Sequence, residues 1–116
     1  MKKQYRIKKS EDIEAIIKEK NVAASKNFVI YKTENHNDHF KYAISVPKKY
    51  GTAVERNKIK RQIRTIVRTN NINNKHNFFI VIKSTANTLS FLEIERELKD
   101  VLLKSQILEV QNEQQN

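Results

Sequence analysis

Apolar residues at Ile13, Ile16 and Ile17 follow Ser10-Glu11-Asp12, and this spacing predicts a short helix from Ser10 to about Lys20. Ser10 is its expected cap, and the two acids suit the electropositive first turn. Phe28-Val29-Ile30-Tyr31 is a run of strand formers, and Asn35-His36-Asn37-Asp38 is turn chemistry. Phe40, Tyr42, Ile44 and Val46 then alternate with polar or small residues, the period-2 sign of a half-buried strand. The two strands with their turn are expected to pair as an antiparallel hairpin. Pro47 cannot donate to a ladder, so the second strand should end near it.

The remaining chain carries two helix starts of one kind. Thr52-Ala-Val-Glu55 and Ser90-Phe-Leu-Glu93 both fit the reciprocal capping box, and Leu89 and Ile94 are spaced for a hydrophobic staple. The helix opened by Thr52 should run to about Arg68, and Phe78–Ile82 reads as a third, buried strand. Phe91, Ile94, Leu98, Val101 and Leu102 form the apolar stripe of the last helix, and a polar tail follows from Gln111. The expected order is α-β-β-α-β-α: an α+β fold, with helices packed on a small sheet. At 116 residues, with no internal repeat or linker, the chain 1–116 is expected to form a single domain.

Composition narrows the chemistry. The absence of cysteine excludes disulfide scaffolds, thiolate metal sites and cysteine nucleophiles. The single glycine excludes Gly-rich phosphate loops, and no apolar run approaches the ~18 residues of a membrane span. A formal charge of +10 points to a polyanionic partner, nucleic acid before an anionic membrane surface. The charge is uneven: residues 1–92 carry a balance of +13 and residues 93–116 one of −3. The expected setting is cytoplasmic, with no membrane partner.

The segment Ala53–Arg68 concentrates this excess. At about 100° per residue, Ile59, Ile63, Ile66 and Val67 share one face, while Asn57, Lys60, Arg61, Arg64 and Arg68 cluster roughly opposite. Arg56 lies on the flank of the stripe and Lys58 on the other side, and the only acid, Glu55, is assigned to the cap. Like charges at i,i+4 cost a helix about a few tenths of a kcal/mol each, so an ordinary solvated face would interleave carboxylates. Guanidinium groups match phosphate oxygens, and Asn57 can both donate to and accept from a base edge or a 2′-hydroxyl.

Ser45-Val-Pro-Lys-Lys-Tyr-Gly51, followed by Ala53-Val-Glu-Arg-Asn-Lys-Ile-Lys-Arg-Gln-Ile-Arg64, resembles the signature of the bacterial ribonuclease P protein subunit. The family pattern is S-V-x-K-K-x-G-x-A-V-x-R-N-[KR]-x-K-R-x-x-R, and the resemblance covers almost the whole chain. It implies a non-catalytic subunit of an endoribonuclease, in which a catalytic RNA removes the 5′ leader of precursor tRNA with magnesium ions bound mainly by that RNA. It also implies a left-handed β-α-β crossover around the second helix, against the general right-handed rule.

Carried over by position, the resemblance places Arg56, Asn57, Lys60, Arg61 and Arg64 on an RNA-contacting helix and Lys48 and Lys49 on a basic loop; Lys58 and Arg68 join the RNA-binding candidates from the charge of the same helix. It places Ile13, Ile17 and Tyr31 in a leader-binding cleft. Ile13 and Ile17 stand where the family usually has aromatics, and the family's usual glycine after the first helix is missing. Isoleucine cannot stack on a base, an interaction worth about 1–3 kcal/mol. Leader gripping should therefore be weaker or less base-dependent in this chain.

No catalytic or metal-binding residue is assigned. His36-Asn-Asp-His39 could hold a metal or act as an acid–base pair, but it falls in a predicted turn, where solvation explains it better. The alternative function is a ribosomal or RNA-chaperone type of RNA-binding protein. A major-groove DNA reader is disfavoured because strands, not a helix and short turn, precede the basic helix. A nuclease acting without an RNA partner is the weakest alternative.

Overall fold

The structure, a computed structural model, describes residues 3–109; the polar tail from Gln111 lies outside them. Helix α1 spans Ser10–Lys18, strands β1 Val22–Ala24, β2 Phe28–Glu34 and β3 Tyr42–Ser45 follow, then helix α2 Ala53–Thr69, strand β4 His76–Ile82 and helix α3 Phe91–Lys104. The order is thus α-β-β-β-α-β-α, an α+β fold with one strand more than the sequence pattern predicts. Short 3-10 turns at Lys48–Tyr50 and Ser84–Thr88 precede α2 and α3.

The predicted hairpin of Phe28–Tyr31 with the 40–46 segment does not form. The sheet order is β1-β2-β4-β3. β2 pairs antiparallel with β4 from Phe28↔Ile82 to Glu34↔His76, and β3 joins the far side of β4 in parallel, from Tyr42↔Phe78 to Ser45↔Val81. The composition of β4 explains the exchange. Phe78-Phe79-Ile80-Val81-Ile82 is apolar on both faces, which suits a central strand, whereas the alternating β3 suits an outer position. A hairpin does exist one strand earlier: β1 pairs antiparallel with β2 across a turn closed by Ser25 N–H donating to Phe28 O at 2.8 Å. β1 is three residues long and two of them are alanine, a weak strand former, so periodicity gave no sign of it.

Both predicted capping boxes form, at Thr52 with Glu55 and at Ser90 with Glu93. The start of α1 differs. Lys9 holds the cap position without a side-chain bond, and Ser10 is the first helical residue. Lys9 O accepts from the N–H groups of both Asp12 and Ile13, so the backbone closes this turn without the serine hydroxyl. Two residues beyond α1, Lys20 lies in the left-handed region, at φ 57°.

One face of the sheet carries the core. Phe28, Ile30, Phe78, Ile80 and Ile82 pack there with Ile59, Ile63, Ile66 and Val67 of α2 and Ile94, Leu98, Val101 and Leu102 of α3. Leu89 is partly buried against this cluster, but Phe91 does not complete the predicted stripe; it is 39% exposed, and the packed length of α3 begins a turn later at Ile94. Strand residues alternate in direction, so Tyr31, Thr33, Asn77 and Phe79 point to the other face. There α1 lies against β2 and β4, burying Ile16 apart from the main core.

Two polar devices close the fold. Glu97 of α3 accepts hydrogen bonds from Ser25 Oγ, from Asn27 N–H and from Asn27 Nδ2, the last two at 2.8 Å. This ties the β1–β2 turn to the helix, and Thr85 Oγ1 donates to Asn27 Oδ1 at 2.6 Å. On the outer edge of the sheet, Arg6 bridges to Tyr42 in parallel and Ile7 N–H donates to Tyr42 O at 3.1 Å. The N-terminal segment therefore covers part of an edge that would otherwise be open to pairing.

Candidate nucleic-acid interface

The amphipathic division of α2 is as its spacing requires. Ile59, Ile63, Ile66 and Val67 are buried, while Asn57, Lys58, Arg61 and Arg68 are exposed and Arg56, Lys60 and Arg64 half-buried. Asn57, Arg61, Arg64 and Arg68 are separated by four, three and four positions and form one row along the helix. Lys48 and Lys49 lie exposed in the turn just ahead of α2, extending the basic surface beyond its N-terminus.

The start of the row is fixed by Gly51 and the capping box. Glu55 Oε1 accepts from Thr52 N–H at 2.8 Å, and Arg56 Nε donates to Gly51 O at 3.2 Å. A Cβ at position 51 would collide with the Glu55 carboxylate, so a side chain there would displace the group that closes the box. The Thr52 backbone and hydroxyl hold the Glu55 carboxyl below its usual range, so the one acid of the helix is ionised and committed to its own N-terminus.

Nothing else neutralises the row. Among the described residues the only ion pair is His36–Glu34, at 3.5 Å on an exposed loop, and it requires a protonated histidine. Among the described residues no carboxylate approaches the cations of α2 within ion-pair distance. Six basic side chains on one helix, none paired among the described residues, leave a concentrated positive field.

A cleft of about 330 Å³ lies at the C-terminal end of the row. Tyr5, Phe40 and Tyr42 form one wall, Arg64 and Arg68 the other, and Asn71 lies in the connection that follows α2. The Tyr42 hydroxyl is pushed up to about 12 by burial, despite the lowering influence of Arg64 and Arg68, so it stays a neutral phenol. Tyr5 and Phe40 had no place in the sequence-based site. The apolar alternation assigns Phe40 to a strand, and only the edge pairing of residues 6 and 7 brings Tyr5 beside it.

On the opposite face, Tyr31 is half-buried and stacks on Phe79, with ring centroids 6.3 Å apart and planes at 24°. Ile13 is half-buried and Ile17 is 39% exposed, flanking the buried Ile16 on α1. Between α1, the N-terminal segment and the sheet runs a groove of about 630 Å³ lined by Arg6, Lys8, Lys9 and Lys41, by the carboxylate of Asp12, and by Thr33 and Asn77 of the sheet. These four cations complete a second basic surface that sequence reasoning did not assemble. Arg6, Lys8 and Lys9 are near neighbours in the sequence, but their placement beside Lys41 depends on the sheet.

The histidines are dispersed. His36 is exposed, His39 Nε2 lies 2.7 Å from Gln4 O, and His76 is in β4, its pKa lowered by burial and by Lys32. Among the described residues no three His, Asp or Glu side chains converge to hold a metal ion, and no helix is long and apolar enough to cross a membrane.

A family profile described as Ribonuclease P matches residues 1–106. A relative from Acholeplasma laidlawii named Ribonuclease P protein component is 41% identical over 111 residues, covering 94% of this chain and 96% of its own. One of the same name from Streptococcus pneumoniae is 39% identical over 114 residues, covering 97% and 93%. The solved RNase P protein of Staphylococcus aureus superposes with a TM-score of 0.83 at 37% identity, over 90% of this chain and 98% of that one. That of Thermotoga maritima gives 0.78 at 26% identity, over 85% and 96%.

Proposed function

The chain belongs to the ribonuclease P protein family as a protein component of that endoribonuclease, and from this premise we propose how its two basic surfaces divide the work. The α2 row, with Lys48 and Lys49, binds the catalytic RNA. The face bearing α1 and Tyr31 receives the 5′ leader of precursor tRNA. The observation that carries this reading is the unpaired cationic row of α2. The family premise identifies the polyanion, and the packing of α1 and α2 on opposite faces of the sheet gives the chain two surfaces for two RNAs.

In this reading hydrolysis belongs to the RNA, with magnesium ions held among its phosphates. The chain supplies positioning and positive charge, which reduces phosphate repulsion and so the magnesium needed. Three of its carboxylates have structural tasks: Glu55 and Glu93 close caps, and Glu97 holds the β1–β2 turn. The setting is the cytoplasm, where precursor tRNA is made and matured.

Reconstitution tests this. The isolated chain should leave precursor tRNA intact, and with the catalytic RNA it should support leader removal at a lower magnesium concentration than the RNA alone requires. Replacing His36, His39 and His76 together by Gln should leave holoenzyme cleavage nearly unchanged. Specific leader removal by the isolated chain, or no change in magnesium requirement, contradicts the proposal.

A further inference from the structure

The cleft at the C-terminal end of the α2 row has features that phosphate clamping alone does not use. Arg64 Nε is buried and has no acceptor among the described residues. Buried donors are rarely left without a partner, and this one adjoins the cleft that Arg64 lines. Arg68 lies one turn further on, also without a carboxylate in range among the described residues. Facing them, the Tyr5 and Phe40 rings sit 5.0 Å apart at 37°, both half-buried. Phe40 is held from behind by Phe78, at 5.7 Å and 24°, so this aromatic surface is braced by the core. Asn71 adds a carboxamide that can donate and accept. The cleft's volume falls within the ~300–1,000 Å³ range of ligand pockets.

Aromatic faces, two guanidinium groups and a carboxamide around one cleft are the means by which proteins hold an unstacked nucleotide. Resting on the assignment of α2 to the catalytic RNA, we propose that this cleft receives a single unpaired nucleotide of that RNA. Its base lies on the Tyr5–Phe40 surface, and its phosphate accepts from Arg64 and Arg68. The cleft continues the row, so a strand whose phosphates follow Arg61 and Arg64 reaches it without changing direction. This adds a base-stacking element to a surface whose other groups are mainly cations suited to phosphates.

The experiment is chemical probing of a bacterial ribonuclease P catalytic RNA bound to the full chain, with dimethyl sulfate reporting A and C and a carbodiimide reporting G and U. Wild type should protect at least one unpaired base that Tyr5→Leu and Phe40→Leu both leave reactive, while the other protections persist. The two leucines keep apolar bulk and remove the ring. Tyr5 and Phe40 are both partly buried against the main cluster, so an unfolding curve accompanies each variant and either one that remains folded decides the test. Affinity should fall about tenfold for each variant. Identical protection patterns in wild type and Tyr5→Leu overturn the proposal, as does a ring-dependent protection found on the precursor tRNA instead. The α2 assignment is judged separately by Arg61→Ala. Loss of general protection there, with no ring-dependent base, leaves the row in place and removes only the nucleotide cleft.

Discussion

Tyr42 of β3 and Phe78 of β4 are register partners across the parallel pair, and their rings stack with centroids 5.2 Å apart and planes at 13°. This contact joins the first strand of the crossover to the last, and α2 is the connection between them. Tyr42 also faces Arg64 and Arg68, so one side chain links the core to the end of the basic row.

Tyr42→Ala should cost about 3–5 kcal/mol of stability, the usual loss for a buried ring, measured by denaturant unfolding. Tyr42→Phe should keep the stack and change the alkaline limb instead. The hydroxyl is raised from 10.0 to about 12, so the folded state holds its proton more tightly than the unfolded one. The stability this gives is complete below pH 10 and is lost as pH rises toward 12. The Phe variant should lack that loss. Arg64→Gln, which removes a lowering charge, should move the phenolate absorbance transition higher still.

Glu97 should set part of the acid limb. Burial pushes its carboxyl up, but hydrogen bonds from Ser25 and Asn27, helped by the Lys26 charge, outweigh this and leave it below its usual value. Its contribution is therefore present above the unfolded pKa and lost as pH falls through the folded one. Glu97→Ala should cost about 1–3 kcal/mol at neutral pH, because the Asn27 N–H and carboxamide lose their acceptor. Its unfolding free energy should vary less with pH on the acid side than that of wild type.

Lys20→Gly should stabilise the chain. Lys20 holds a φ of 57° after α1, a conformation costing about 1–2 kcal/mol for a side-chain-bearing residue. Glycine removes that cost but loosens the unfolded chain, so the net gain should be below about 1 kcal/mol. A thermal melt a few degrees higher is the expected result.

Tyr31→Ala should weaken holoenzyme binding of precursor tRNA and leave mature tRNA little affected, by at most the ~1–3 kcal/mol of one stacked base. Ile17→Phe should move leader binding the other way by less than that, since Ile17 is 39% exposed and a ring there has room. Paired affinities with and without the leader decide both. Equal losses on the two substrates for Tyr31→Ala would place it outside the leader site.

What the sequence showed follows from the range of the forces involved. Capping boxes and the facing of α2 are set within one or two helical turns, so Thr52, Glu55, Ile59, Ile63 and Arg61 could be read directly. Strand alternation is equally local and identified Tyr42 and Ile44, but partner choice depends on which strand needs covering on both faces. Local alternation and the intervening turn therefore suggest a β2–β3 hairpin, whereas β3 pairs with β4. The clefts lay further from reach. Tyr5 meets Phe40, and Lys9 shares a groove with Lys41, only through sheet pairings that no local pattern encodes.

The α2 row is tested most directly by the affinity of the full chain for a bacterial ribonuclease P catalytic RNA across a series of salt concentrations. With about six phosphate contacts, at roughly −0.7 to −0.9 each, log affinity against log salt should have a slope of about −4 to −5. Arg61→Ala should bind more weakly and flatten the slope by about one contact, with its unfolding curve unchanged. A folded Arg61→Ala variant with wild-type affinity and slope contradicts the account.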